Sequence, residues 1–203
     1  MPEGDAVRRL AGTLDELFVG GIVSASSPQG RFASSAALLD GWVMQRVRVH
    51  GKHMFIGFVA PTPGEVYEAG VDLLEGAAAG SGEPLLGEDA PWPDRWVHIH
   101  LGLYGWWRFN GDETVVDEGH GVAHRIPNVP KGEWNGHSET RWGEGFGEAK
   151  AGEWEPPEPV GAVRLRLFND HAVADLVGPN RCDLITDEER VVAESKLGPD
   201  PLD

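Results

Sequence analysis

The sequence WVMQRVRVHGKHMFIGFV, residues 42–59, contains two strand patterns with a short turn between them. In residues 42–49, valines alternate with arginines, and alternation with a period of two is typical of a half-buried β-strand. An apolar run over residues 53–59 follows directly after Gly51 and Lys52, which are suited to a turn. Two strand patterns so close along the chain predict antiparallel pairing in a β-rich fold.

Further strand patterns lie on the C-terminal side of this pair. Residues 96–109 form a long β-rich run that Gly102 and Gly105 interrupt. Residues 163–167 alternate apolar side chains with arginines, and residues 171–177 continue as a strand after a short turn. The chain therefore contains several short strands joined by turns, which is typical of an antiparallel sheet.

Helical patterns lie near the two ends of the chain. Residues 5–19 place apolar side chains at helical spacing, and two glycines end that pattern. Residues 186–189 (TDEE) form a capping box, which predicts a short helix that runs to about Lys196 and stops at Gly198. The predicted fold class is mainly β with helices (α+β), a two-layer antiparallel β-sandwich flanked by an N-terminal helix and a short C-terminal helix.

The composition bounds the class of protein. The chain has 203 residues, 40% of them apolar, and its 17 Lys and Arg against 33 Asp and Glu give a formal net charge of −16. A strongly basic surface over the whole molecule is therefore excluded. The acidic residues concentrate in two Gly/Pro-rich stretches, near residues 61–94 and 110–159, which are expected to be surface loop insertions.

The compartment is predicted from cysteine usage and the absence of targeting patterns. The single cysteine, Cys182, excludes an internal disulfide and a multi-cysteine zinc site. No apolar run has membrane-spanning length, and the acidic start MPEGD lacks the apolar segment of a signal peptide. We expect a cytoplasmic protein without a membrane partner.

The N-terminus carries a candidate nucleophile. Initiator methionine is normally removed before a small second residue, which would leave Pro2 with a free secondary amine. An α-amino group has a pKa near 8, so a sizeable fraction is unprotonated at neutral pH. Attack of such an amine on an aldehyde-like carbon gives an iminium ion, and the neighbouring Glu3 could transfer protons. Alternatively, Met-Pro is a common start and Glu3 only favours a helix N-terminus.

Four segments in order along the chain resemble motifs of the formamidopyrimidine-DNA glycosylase/endonuclease VIII family. They are residues 1–7 (MPEGDAV), 51–55 (GKHMF), 100–105 (HLGLYG) and 196–202 (KLGPDPL). Residues 26–33 (SSPQGRFA) and 178–182 (GPNRC) further resemble a bacterial endonuclease VIII branch. The resemblance implies a glycosylase and abasic-site lyase for oxidised bases, chiefly pyrimidines, with damaged single- or double-stranded DNA as the partner of a monomeric enzyme.

The resemblance also implies roles for individual residues. Pro2 would attack C1′ of a flipped nucleotide, and Glu3 would be the general acid and base. Lys52 would hold a DNA phosphate beside the amine and lower the amine's pKa by like-charge repulsion. Leu103 and Tyr104 would fill the gap left by the flipped base, on a loop that begins with Gly102. Arg31 would add a phosphate contact. Alternatively, Lys52 is an ordinary turn residue, and Leu103 and Tyr104 are ordinary core residues, without a role in DNA binding.

The chain is shorter than the family pattern. Members continue into a helical domain with a helix–two-turn–helix element and usually a four-cysteine zinc finger. We expect residues 1–197 to form the catalytic domain, residues 198–203 to begin the linker to that module, and no cofactor to be bound by this chain. Ala6 replaces a usual glutamate. With fewer phosphate contacts, DNA binding would be weak, so a catalytically impaired DNA-binding fragment is an alternative.

A second alternative belongs to a different class. His98 and His100 alternate with apolar residues on one strand pattern, as metal ligands do in a cupin-like β-barrel. His50, His53 or a carboxylate would supply the third ligand. No full ligand set is evident in the sequence, so we expect this chain to bind no metal.

Overall fold

The computed structural model of the chain describes residues 2–64, 92–117, 140–143 and 146–198. The elements in this part of the chain follow one another as α1 (Pro2–Phe18), β1 (Ile22–Ser26), α2 (Ala33–Leu39), β2 (Trp42–His50), β3 (His53–Val59), β4 (Arg95–His100), β5 (Trp106–Gly111), α3 (Thr114–Asp117), β6 (Thr140–Trp142), β7 (Val163–Phe168), β8 (Ala172–Val177), β9 (Arg181–Ile185) and α4 (Asp187–Leu197).

The described strands are arranged in the order β6-β5-β8-β7-β1-β2-β3-β4-β9. Neighbouring strands are antiparallel except β5 and β6, which are parallel. Strand β1 belongs to two halves of this sheet: Ile22 and Val23 pair with β2, and residues 24–26 pair with β7. We call β1-β2-β3-β4-β9 the first half and β6-β5-β8-β7-β1 the second half.

One apolar core joins the two halves. Side chains of alternate residues from both halves and from α1 form a single buried cluster, as expected for sheets that pack face to face. Its largest fully buried members include Phe18, Leu10, Leu14, Met44, Met54, Ile56, Phe58, Trp107 and Phe109. The predicted two-layer arrangement of mainly antiparallel strands with terminal helices is therefore confirmed.

The strand pair at residues 42–59 forms as predicted. Strands β2 and β3 pair from Val43 opposite Val59 to His50 opposite His53, so Gly51 and Lys52 make the turn. The register shifts between Met44 and Arg46, because β2 carries one extra residue at that point.

Helix α4 begins and ends as the sequence predicts. The Thr186 hydroxyl accepts from the Glu189 amide at 3.3 Å, and the Glu189 carboxylate accepts from the Thr186 amide at 2.9 Å. Gly198, with φ 73°, ends the helix. Arg190 holds α4 against β4, because its buried guanidinium lies 4.8 Å from the Trp96 ring centre and pairs with Asp187 at 2.7 Å.

The structure differs from the predictions at both ends of α1 and in the elements that follow. The helix begins at Pro2 rather than at residue 5, and proline fits a first helical turn because its missing N–H needs no acceptor there. The sequence patterns do not predict α2, β1 or β9. Each is short, and their apolar residues are too few to show a period.

The two predicted acidic insertions lie largely outside the described residues. Within residues 110–159 the structure describes the end of β5 and the short elements α3 and β6. Residues 65–91, 118–139 and 144–145 of these stretches lie outside the description, as do residues 199–203 of the predicted linker. No helix in the described part is long and apolar enough to cross a membrane.

Asp15 gives a stability prediction for the packing of α1 on β2. Burial, with the nearby Glu16, raises the pKa of the Asp15 carboxyl to about 7 although the Val47 amide donates to it. The unfolded chain releases this proton near pH 4, so the free energy of unfolding falls as pH rises from about 4 to about 7. We expect Asp15→Asn to stabilise the fold by about 2 kcal/mol above neutral pH and by little near pH 4, as measured by urea unfolding. Equal effects at both pH values would contradict this assignment.

Candidate functional site

The turn between β2 and β3 presents a lysine at one end of the sheet. Gly51 has φ 57°, a left-handed conformation that side chains with a Cβ rarely adopt. His50 and His53 form the last pair of the two strands. Lys52 is exposed at the tip of the turn. The turn therefore holds a cation in a defined place on the surface.

The loop between β4 and β5 presents two large side chains to solvent. Leu103 is 80% exposed and Tyr104 is 81% exposed. The loop is tight: the Gly105 amide donates to the Leu101 carbonyl at 3.0 Å, and a Cβ on Gly105 would lie 2.3 Å from that oxygen. The predicted break in the strand at Gly102 and Gly105 is thus present, and it places two exposed side chains on a constrained loop.

The loop between β8 and β9 lies against the β4–β5 loop. The Asn180 amide donates to the His100 carbonyl at 2.9 Å. Gly102 has φ 70°, and a Cβ there would lie 2.4 Å from the Asn180 side chain. This close approach accounts for a glycine next to Leu103, independently of any role in binding.

The two presenting loops lie at the same end of the first half. His53, the first residue after the β2–β3 turn, pairs with His100, the last residue of β4. Lys52 and the loop that carries Leu103 and Tyr104 therefore start from neighbouring positions on adjacent strands.

Arg31 lies on the loop that follows β1. Ser27 donates its hydroxyl to the Arg164 carbonyl at 2.6 Å, and the Gln29 amide donates to the Val163 carbonyl at 2.9 Å. Both contacts attach the loop to the start of β7, and the side chain of Arg31 is exposed. Within the second half, β7 starts beside the end of β8 and β8 ends beside the start of β5, so the Arg31 loop is at the end from which the β4–β5 loop enters β5. Within the first half, Val23 pairs with Trp42 at the start of β2, so the Arg31 loop lies at the end opposite Lys52.

Helix α1 points its first turn toward the end of the first half that carries Lys52. The Gly20 amide donates to the Met44 carbonyl at 2.8 Å, and Asp15, closer to the N-terminus, meets Val47, closer to the end of β2. From Asp15 to the first turn the helix rises about 20 Å. From Val47 to Lys52 an extended strand advances about 17 Å. The side chains of Pro2 and Glu3 lie outside the described part; the backbone of their helix runs toward Lys52.

A row of rings lies on the face of the first half that is turned away from the apolar core. His53 lies 4.6 Å from His100 between ring centres, and Phe55 stacks on His98 at 4.3 Å. His98, which is 3% exposed, approaches His53 at 2.9 Å between Nε2 and Nδ1. The sequence shows these histidines but does not predict the row; their facing positions on adjacent strands are the signal that could have predicted it.

The histidine row is neutral near physiological pH. Burial, followed by the nearby charges of His100, Arg181 and His50, lowers the pKa of His53 to about 4. Burial, His53 and Arg181 lower the pKa of His98 to about 4 as well, and His100 is also shifted downward, by burial and by Lys52. These rings therefore add hydrogen-bonding groups, not positive charge, beside Lys52.

The metal-binding alternative gains no support from this arrangement. Among the described residues, no group of three or more His, Cys, Asp or Glu side chains is placed to hold a metal ion. Nδ1 of His53 and Nε2 of His98 contact each other at 2.9 Å, so these two nitrogens are hydrogen-bonded to each other. Cys182 is buried, and burial raises the pKa of its thiol to about 12, which removes it as a nucleophile.

Comparison with known proteins gives relatives of one kind. No protein-family model matches the chain. Curated proteins named Endonuclease 8 1, from Mycobacterium bovis and Mycobacterium tuberculosis, are each 32% identical over 202 residues, which is 100% of this chain and 49% of theirs. The chain thus spans about half the length of the curated relatives it matches.

Solved structures are also similar to the chain. A complex of Lactococcus lactis Fpg with DNA containing an abasic site aligns with a TM-score of 0.48 and 14% identity, over 97% of this chain and 47% of that one. MutM in complex with DNA containing carbocyclic 8-oxo-G aligns with a TM-score of 0.47 and 13% identity, over 96% of this chain and 48% of that one.

Proposed function

Because this chain belongs to the formamidopyrimidine-DNA glycosylase/endonuclease VIII family, we propose that it is a bifunctional DNA glycosylase and abasic-site lyase of base-excision repair. Its substrates are oxidised bases, chiefly pyrimidines, in damaged DNA. The observation that carries the proposal is 32% identity to Endonuclease 8 1 along the whole chain. The neighbouring positions of Lys52 and of the loop with Leu103 and Tyr104 at one end of the first half, toward which α1 runs, support it.

The proposed reaction begins at the N-terminus. The Pro2 nitrogen forms a bond to C1′, the bond from C1′ to the base breaks, and the base leaves with a proton. Glu3 protonates the ring oxygen as the sugar opens, which leaves an iminium ion between Pro2 and C1′. Loss of a proton from C2′ then expels the 3′ phosphate, a second elimination expels the 5′ phosphate, and water releases the amine.

Lys52 favours this chemistry through its charge. An exposed ammonium at the tip of the β2–β3 turn can hold a phosphate of the bound strand. A second positive charge near the N-terminus also disfavours protonation of the Pro2 amine and so increases the fraction that can attack. The reaction uses only these organic groups, so we propose that it needs no cofactor and proceeds in EDTA. We place this activity in residues 1–197, with residues 198–203 as the start of a linker, and in the cytoplasm.

The exposed loop side chains are expected to act only on duplex DNA. Leu103 and Tyr104 would fill the space left in the stack when a nucleotide is flipped, and a single strand has no such stack. We expect Leu103→Ala and Tyr104→Ala to lower cleavage of duplex abasic DNA by about tenfold and to change cleavage of single-stranded abasic DNA by less than about twofold. Parallel cleavage assays on the two substrates measure this. Equal losses on both substrates would rule out the wedge role.

The lyase function is tested by trapping the iminium. The protein is incubated with an oligonucleotide carrying a natural abasic site and reduced with borohydride, in EDTA. We expect a covalent protein–DNA complex with the natural site and none with a tetrahydrofuran analogue, which has no aldehyde to form an iminium. DNA binding without any trapping would leave the catalytically impaired DNA-binding fragment as the function.

A further inference from the structure

The hydrogen bonds in the histidine row have a fixed direction. Nη1 of Arg181 lies 3.5 Å from Nδ1 of His98, and a guanidinium can only donate. Nδ1 of His98 is therefore the acceptor, and the neutral ring carries its proton on Nε2. That Nε2–H lies 2.9 Å from Nδ1 of His53 and donates to it. His53, also neutral, must then carry its own proton on Nε2.

The ring of His98 is held firmly enough to keep this direction. Phe55 stacks on it at an interplanar angle of 19°, and the side chain is buried. Arg181 is positioned in turn by Asp183, whose carboxylate accepts from its Nε at 2.9 Å. The chain of contacts thus runs from an ion pair on β9, through a buried ring on β4, to His53 at the start of β3.

The last donor in this series of hydrogen bonds, the Nε2–H of His53, is available to a ligand. Among the described residues, Nε2 of His53 has no hydrogen-bond partner. This nitrogen is not fully buried, so it reaches solvent. It belongs to the residue next to Lys52, at the end of the sheet where the candidate site lies. A partner for it must be an acceptor.

We propose that His53 is a further DNA-contacting residue, which donates its Nε2–H to a phosphate oxygen of the strand held by Lys52, and that His98 and Arg181 are positioning residues that keep it in the donating tautomer. This inference rests on the proposed function. The groups near His53 indicate the chemistry of the ligand. They are the cations Lys52 and Arg181 and the rings of His50 and His100. The Asp183 carboxylate is paired with Arg181. An anionic acceptor fits this set.

A neutral, fixed donor differs from a charged histidine in its pH dependence. A histidine that contacts phosphate as a cation loses the contact as pH rises through about 6.5. His53 keeps the same Nε2–H over that range, because its pKa lies near 4. Its contribution to DNA binding is therefore constant from about pH 6 to about pH 8.

The tautomers can be observed directly in the full chain without DNA. Long-range ¹H–¹⁵N correlation spectra of histidine-labelled protein distinguish Nε2–H, Nδ1–H and charged rings. We expect both His53 and His98 to be neutral and protonated at Nε2 between about pH 6 and about pH 8. A His53 ring protonated at Nδ1, or one that titrates near its ordinary pKa of 6.5, would overturn the inference.

The phosphate contact is tested by binding to a duplex with a tetrahydrofuran abasic analogue. We expect His53→Ala to weaken binding about tenfold, and His53→Gln, whose amide can also donate, to remain within about threefold of the parent chain. His171→Gln is the matched control, because His171 lies on the β7–β8 turn, away from the row. Equal loss in both His53 variants, or none in either, would contradict the contact.

The positioning role is tested through the tautomer of His53. His98→Phe removes the donor to Nδ1 of His53, so the neutral ring can then carry its proton on Nδ1 and present no N–H to the phosphate. We expect an Nδ1–H signal of His53 to appear in the long-range ¹H–¹⁵N spectra of this variant, and its binding to the tetrahydrofuran duplex to weaken about threefold. His98→Gln, whose amide can still donate to Nδ1, should keep the Nε2–H form. A His53 tautomer that is unchanged in folded His98→Phe would refute the relay; loss of borohydride trapping in the parent chain would refute the proposed function alone.

Discussion

Adding a few residues in front of Pro2 is expected to abolish borohydride trapping on abasic-site DNA, a loss of at least about 10³-fold. An extension converts the secondary amine into an amide, whose nitrogen cannot attack a carbonyl carbon or form an iminium. The measurement compares trapped complex, on denaturing gels, for chains with a trimmed and an extended N-terminus.

The matched control carries the same residues after Asp203, where they leave the amine free. Pro2→Gly is expected to retain weak trapping, because a primary amine can still form an imine. If the extended chain traps as well as the trimmed one, another nitrogen is the nucleophile.

Glu3→Gln is expected to reduce excision of an oxidised base by about 10²-fold or more, the usual scale for a lost general acid or base. Cleavage at preformed abasic sites should fall much less, because the aldehyde already exists there and the sugar need not be opened by Glu3. Single-turnover rates on the two substrates measure the two losses separately.

Glu16→Gln is the matched control for this change, since it alters a glutamate near the other end of α1. It should leave both rates within about twofold of the parent chain. Equal losses in excision and in lyase activity for Glu3→Gln would show that Glu3 is not needed more for base excision than for cleavage at abasic sites.

The strong periodic patterns in the sequence predicted most of the fold. Strands β2 and β3 and helix α4 formed where alternation and the capping box at Thr186 placed them. Strand β9 was missed because its residues 181–185 alternate only briefly, and its place beside β4 depends on contacts with residues some 80 positions away. Helix α2 was not predicted because its seven residues are too few to show a helical period.

The candidate site was predicted unevenly for a related reason. The turn with Lys52 and the loop with Leu103 are local features, and the flanking glycines mark them in the sequence. The row that joins His53, His98 and Arg181 depends on the register of three strands, which no local pattern encodes. Buried polar contacts across strands were therefore visible only in the structure.

The central claim is that the nitrogen of Pro2 bonds to the sugar. The direct measurement is tandem mass spectrometry of the borohydride-trapped complex after nuclease and protease digestion. We expect the reduced sugar remnant on the N-terminal nitrogen of a peptide that begins with Pro2. A remnant on the side chain of Lys52 or of any other lysine would contradict it.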